Sequence, residues 1–374
     1  MSSIFNNLYE NLKSMSPIRL IVSSFAFIIL IGTILLSLPI STRNGTFTPV
    51  IDSFFVATSA TCVTGLTLFD TYTQWSNFGQ VVIILLIQFG GLGLITFTTG
   101  FTLFFRKKWG LRDIRLAKEY TSGSVIDTPK LIKTILIWSL VCESIGAVLL
   151  AIRFIPQFGA YGIWISIFTA ISAYCNAGFD LMGFTEKGIG LINYRADALV
   201  SLTIGLLIVI GGIGFVVISD IHSGILKKVH DKRSHFHLNF HSMIVIKMTV
   251  ALLLVGTLFF FIFEYNNTLS DLDFSGKLVA SFFQSSSART AGFFSLPIGS
   301  EREITKLLTI FLMFIGASPA STGGGIKTTT FAVLLATVKS IIKGNALLID
   351  LSLFRNDRTS FSHHLTCEYL IVYF

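Results

Sequence analysis

Three short stretches carry the residue types that could hold a dehydrated cation: "TCVTGL" (61–66), "NAGFD" (176–180) and "RTAGF" (289–293). Each places a glycine in a polar turn, where φ > 0 costs no Cβ strain. A turn of this kind can aim successive carbonyls inward and replace an ion's hydration shell. A helix ending just before it would add its partial negative charge. Aligned on Gly65, Gly178 and Gly292, each stretch has Phe ten residues earlier (Phe55, Phe168, Phe282) and Ser six earlier (Ser59, Ser172, Ser286). The glycines stand 113 and 114 residues apart. One such glycine would read as a simple helix cap. Three at one interval, with two matched positions, read as a repeated filter turn.

A fourth stretch, "GASPASTGGGIKTTTF" (316–331), interrupts an apolar run that otherwise continues from Leu307 past Val333. Gly316, Pro319 and Gly323, Gly324 and Gly325 are poor helix residues, so this is a broken helix or a passive kink. At membrane depth it would obstruct ions, with Lys327 as an electrostatic barrier. Its likeness to a phosphate-binding loop fails, because Ile326 separates Gly325 from Lys327 and no strand precedes it. A hydrolase nucleophile at Ser318 lacks the Gly-x-Ser-x-Gly turn and a histidine base at that depth. The sequence thus argues against an enzyme, and for no covalent cofactor and no metal beyond a transported cation. His222, His230, His235, His237 and His241 fall in a basic connector without cysteine or acidic partners and read as a solvated loop. The four cysteines show no metal spacing.

The elements that must position these turns are membrane helices. Of 374 residues, 52% are hydrophobic and 13% charged, with a mean hydropathy of +0.74. A spanning helix needs about 20 apolar residues, and such runs recur at 20–40, 78–105, 136–152, 198–219, 248–263 and 307–320. The net charge of +8 concentrates in "RKKWGLRDIRLAK" (106–118), "KKVHDKR" (227–233) and around Lys327, Lys339 and Lys343. The positive-inside rule places those loops and the N-terminus in the cytoplasm. The membrane accounts for the charge without nucleic acid. Each unit then reads as span, re-entrant helix of about 12 residues, glycine turn and return span, because a helix that short cannot cross. Irregular backbone at that depth survives only inside protein or along a watery path. The fold class is all-α and polytopic: three span–re-entrant helix–span repeats around a pseudo-fourfold axis. Their limits are 18–117, 128–226 and 240–345, after a cytoplasmic segment 1–17.

On "TCVTGL", "NAGFD", "RTAGF" and above all "GASPASTGGGIKTTTF", the chain resembles the Trk/Ktr/HKT family of potassium transporters, and KtrB-type membrane subunits in particular. The resemblance implies uptake of K+ across the cytoplasmic membrane through one pore lined by four such units. It implies filter carbonyls at Cys62, Val63, Thr64 and Gly65, at Cys175, Asn176, Ala177 and Gly178, and at Arg289, Thr290, Ala291 and Gly292. It implies a gate at 316–328, including Gly316, Ser318, Pro319, Ser321, Thr322, Gly323, Gly324, Gly325 and Lys327. It also implies a homodimer on a cytosolic ring of nucleotide-binding regulatory subunits, with Na+ as a possible activator. Arg289 would pin its own loop rather than face the ion, Glu143 would pair within the bundle, and Asp180 would lie at the outer mouth, as a cation attractor or simply solvated.

The interval predicts a fourth glycine near position 406, which this sequence does not reach, and residues 350–374 do not read as a family continuation. The expectation is a chain truncated before its fourth repeat and impaired in conduction. An alternating-access carrier would also place broken helices at mid-depth, but here the repeats run in the same direction.

Overall fold

The computed structural model describes residues 17–93, 128–186, 188–230 and 238–342. Among them it is helical, with a single isolated β-bridge between Thr42 and Trp75. The helices of twelve residues or more are α1 Pro17–Ser37, α2 Val50–Thr61, α3 Asn77–Gly91, α4 Thr128–Phe158, α5 Tyr161–Tyr174, α6 Ala198–Gly212, α7 Phe215–His230, α8 Phe240–Glu264, α9 Phe274–Ser287, α10 Glu303–Phe314 and α11 Thr328–Ile342. Three long helices, α1 (21 residues), α4 (31) and α8 (25), are each followed by a shorter one, α2 (12), α5 (14) and α9 (14).

Local chemistry sets where the helices begin. The Ser76 hydroxyl accepts from the Gly79 N–H at 3.3 Å ahead of α3. Asp197 accepts from Leu199 and Val200 N–H ahead of α6, and Asp273 accepts from Gly276 N–H ahead of α9. Each side chain satisfies amide donors that no helical carbonyl can reach.

Long helices present apolar side chains outward. On α8, Val250, Leu254, Leu258 and Ile262 are exposed at a spacing of four residues. On α4, Val141, Ile145, Val148 and Ile152 are exposed at spacings of four, three and four. Such stripes suit a hydrocarbon surround. The buried core lies between α2, α3, α4, α5 and α6, with Ile83, Ile87, Leu150, Phe154, Phe168 and Tyr174 sealed inside.

Two expected spans are corrected. Lys133–Phe158 and Phe240–Glu264 are long and apolar enough to cross a membrane as single helices. The run 198–219 is not one continuous span, because α6 and α7 meet at 95° across Ile213 and Gly214. Gly214 takes φ +98, a conformation helix geometry does not permit. Within the run 78–105 the described part is helical to Gly91, and Gly93 takes φ +77; positions 94–105 lie outside the described residues. The parallel doublets "GGLG" and "GGIG" therefore end helices that hydropathy alone would continue. Residues 307–320 are helical only to Phe314. The histidines are corrected too: His222 is on α7, edge-on to the Trp138 ring, and His241 is on α8. His235 and His237 lie outside the described residues, as do 1–16 and the tail 350–374.

Candidate functional site

The three glycine turns meet. A methyl on Gly65 would lie 3.0 Å from the Ala177 carbonyl oxygen and 3.6 Å from the Gly178 α-carbon. One on Gly178 would lie 2.7 Å from the Ala291 oxygen and 3.0 Å from the Gly292 α-carbon. One on Gly292 would approach the α-carbons of Gly178 and Gly65, at 3.4 and 3.8 Å. Segments 113 or more residues apart are thus brought together through their glycines.

Each turn follows a helix end closed by backbone bonds. After α2, Val63 N–H donates to Ala60 O and Thr64 N–H to Ser59 O. After α5, Asn176 N–H donates to Ala173 O and Ala177 N–H to Ser172 O. Both are Schellman closures, with the bonded carbonyls supplied by the helix's last turn. The left-handed residue that such a closure needs is Val63 in one and Asn176 in the other, at φ 55 and 58. Thr290 is the third, at φ 70. The glycines come two residues later, at φ 78, 72 and 83. They are therefore not the helix caps. Each turn visits the left-handed region twice, and the first visit is made by a residue with a Cβ at a cost of roughly 1–2 kcal/mol.

The matched serines divide in use. Ser59 and Ser172 supply the carbonyls just described, and Thr64 also donates its hydroxyl to Ser59 Oγ at 2.9 Å. In the third turn the acceptor is Ser287, which takes both Ala291 and Gly292 N–H. Ser286 O instead accepts from Arg289 N–H at 3.3 Å, and its hydroxyl donates to Phe283 O. The matched phenylalanines diverge as well, Phe168 being sealed and Phe55 38% exposed.

Two glycines unmarked as site residues seat the turns. A methyl on Gly90 would fall 1.8 Å from Thr61 O, and one on Gly211 1.8 Å from Tyr174 O. Thr61 and Tyr174 occupy the same place, four residues before Gly65 and Gly178. The α3 and α6 backbones thus cradle the ends of α2 and α5. The doublets at 90–91 and 211–212 were the available sequence signal.

The 316–328 segment packs directly against these turns. Asn176 Nδ2 donates to Thr322 Oγ1 at 2.6 Å, and Thr322 Oγ1 donates on to Tyr174 O at 3.1 Å. Gly324 N–H donates to Thr290 Oγ1 at 3.0 Å. Arg289, 7% exposed, donates through Nη2 to Gly316 O at 3.0 Å. The same loop fills the break between α6 and α7: Ser318 N–H donates to Gly212 O, Thr322 N–H to Gly211 O, and Phe215 N–H to Ala320 O. Lys327 folds back to Gly323 O at 2.9 Å. Ser318 Oγ is buried against Thr328 Oγ1 at 2.9 Å, with no histidine in that pair. Ser321 bonds to Ser318 O, Gly325 takes φ 73, and Pro319 O packs on Gly214.

The remaining charged candidates have assigned partners. Both Glu143 oxygens accept from Gln88 Nε2, at 2.9 and 3.2 Å, while Gln88 Oε1 lies 3.6 Å from the Cys175 thiol. Asp180 accepts from Met182 N–H at 2.8 Å and so shapes a turn.

An all-helical bundle with apolar outer stripes, broken helices and three converging glycine turns defines a polytopic membrane protein of the transport class. The comparison with known proteins narrows that class: residues 6–350 match the TrkH family of cation transport proteins, and the chain belongs to that family. It is 42% identical to the Ktr system potassium uptake protein B of Bacillus subtilis, covering 88% of this chain and 72% of that protein. It is 39% identical to the potassium/sodium uptake protein NtpJ of Enterococcus hirae, covering 89% and 71%. The fold is similar to that of the potassium transporter TrkH from Vibrio parahaemolyticus, with a TM-score of 0.61 at 18% identity. That match covers 90% of this chain and 65% of the transporter, so the chain spans slightly less than two thirds of it. A family of cation transporters is not a family of enzymes, so the hydrolase reading of Ser318 ends here.

Proposed function

We propose that this chain is the pore-forming component of a Ktr/Trk-type system taking up K+ across the cytoplasmic membrane. In this reading α2, α5 and α9 are re-entrant pore helices of three repeats, 18–117, 128–226 and 240–345. Residues 62–65, 175–178 and 289–292 are three strands of a carbonyl filter. The segment 316–328 is the gate beneath it, the N-terminus is cytoplasmic, and the helix bundle carries the positive charge of its loops inward.

The observation that carries the reading is the meeting of Gly65, Gly178 and Gly292 at their α-carbons. Residues of left-handed φ at alternate positions send neighbouring carbonyls toward one side, which is what replacing a hydration shell requires. The relatives named above are potassium or potassium/sodium uptake proteins, which supports K+ as cargo with Na+ as competitor or activator. The Bacillus subtilis relative is one protein of a Ktr system, which supports partners for this chain as well. The proposed arrangement is a homodimer on a cytosolic nucleotide-binding ring.

The test is rubidium against sodium uptake into proteoliposomes, with the complete system, for Gly65→Ser and Gly178→Ser. The added side chain projects at the other glycines, so discrimination between the two ions should fall. Unchanged discrimination in both folded variants would remove the filter assignment.

A further inference from the structure

Beside the third short helix lies a carboxyl that the uptake reading does not use. Glu301 is 4% exposed and stands just ahead of α10. Its Oε1 accepts from Gln284 Nε2, on α9, at 3.3 Å. Its other oxygen, Oε2, is buried without a hydrogen-bond partner, and so is Gln284 Oε1. Gln284 is itself 4% exposed. Two partnerless acceptors on the same two side chains are costly, since a buried acceptor left unmade forfeits its hydration.

One proton resolves both. A carboxylic acid and a primary amide close a ring of two hydrogen bonds: amide N–H to acid carbonyl, and acid O–H to amide oxygen. Gln284 Nε2–H to Glu301 Oε1 is already the first of these. A proton on Oε2 donating to Gln284 Oε1 would be the second. We propose that Glu301 is a proton-binding site, carried as the neutral acid in a mildly acidic medium and closed against Gln284, so that losing the proton loosens α9. Since α9 leads into the Arg289–Gly292 turn, uptake would then fall as the outer medium becomes alkaline; this consequence rests on the pore reading above.

The surroundings favour a proton over a metal cation. Glu264, at the end of α8, has its carboxylate engaged by Asn267, Thr268, Thr305 and the Arg302 amide. It contributes repulsion rather than a free ligand. Lys306 on α10 is the opposing positive charge and is paired with Glu303 at 2.8 Å. Lys277, two turns before Gln284 on α9, is held by Tyr265 O. Burial first, and Glu264 second, push the Glu301 carboxyl up to about 7. A folded value above the ordinary 4.5 gives stability that is complete below about 4.5 and is lost as pH rises through about 7.

The experiment is infrared difference spectroscopy of the whole protein in lipid, read at the carboxylic-acid C=O stretch, alongside rubidium uptake against outer pH. The expected result is an acid band that titrates near pH 7 in the native chain and is missing in Glu301→Gln, whose amide can still pair with Gln284. Native uptake should drop several-fold between about pH 6 and 8, on the order of a single titrating group, while Glu301→Gln stays level. A band absent at about pH 5, a band kept in Glu301→Gln, or uptake in that variant tracking the native chain would overturn the proposal. Gln284→Leu is the second variant: it should lower the midpoint of the band, and an unmoved midpoint would also overturn it. Sodium-dependent stabilisation at about pH 8 with no acid band would assign the two oxygens to a metal cation instead. An intact titrating band in proteoliposomes that never take up rubidium would sink the pore reading and leave the proton site standing.

Discussion

At the scale of single residues, the glycines divide into two kinds. Gly65, Gly178 and Gly292 supply φ > 0 where three loops meet. Gly90 and Gly211 supply absence, because the carbonyls of Thr61 and Tyr174 occupy the place of a Cβ. A methyl cannot be accommodated 1.8 Å from a backbone oxygen, so one helix must move. Gly211→Ala should therefore destabilise by about 1–3 kcal/mol, the usual range for overpacking. Gly299→Ala, with nothing within 4 Å of its added methyl, should stay within about 0.5 kcal/mol. Thermal melts of the two purified variants in detergent check this, and equal melting temperatures would contradict the cradle. Only the first kind of glycine was legible as a site in the sequence, because it sits in a polar turn. The second sits in an apolar run, where glycine and alanine look alike until a neighbour's carbonyl arrives.

Among elements, the decisive relation is between the short helices and the 316–328 loop. Asn176 and Thr290, the residues held at left-handed φ, are the ones that bond to it, through Thr322 and Gly324. Val63 occupies the matching place after α2 and has no polar side chain to offer. If the 316–328 loop is the proposed gate, anchored by two turns out of three, it must break those bonds in order to move. Thr322→Val removes the bonds to Asn176 and Tyr174 and should raise rubidium uptake if the bonds hold the gate shut. Combined with Asn176→Ala, it should show a coupling of roughly 0.5–3 kcal/mol in unfolding stability, as expected for residues in one network. Lower or unchanged uptake in a well-folded Thr322→Val protein would count against the loop as a gate. Additive stabilities would show that the two side chains act separately.

Over the whole molecule, the outer surface decides the solvent. Val250, Leu254, Leu258 and Ile262 form one exposed apolar row on α8, which water would not tolerate at this length. Leu254→Arg, near the middle of a 25-residue helix and 65% exposed, should cost about 2.5–3.5 kcal/mol of insertion free energy if hydrocarbon surrounds it. The yield of membrane-integrated protein should then drop sharply. An undiminished yield would mean that this face meets protein or water rather than lipid.

The sequence alone determined a good deal of this. Apolar runs near 20 residues, basic loops and three equally spaced glycine turns are local or periodic signals, and they pointed to a helical membrane protein of the cation-transport class. Breakers such as Pro319 and Gly323–Gly325 act through their own backbones, so the interruption after Phe314 was readable too. Tertiary structure decided what depends on distant neighbours. The 95° break after Gly212 needs the 316–328 loop to take up its freed carbonyls, which hydropathy cannot register. The strain at Val63, the cradles at Gly90 and Gly211 and the half-satisfied pair of Gln284 and Glu301 all arise from contact across chain segments. Periodicity records which face a residue takes, whereas close approach and a missing hydrogen-bond partner exist only once the segments have met.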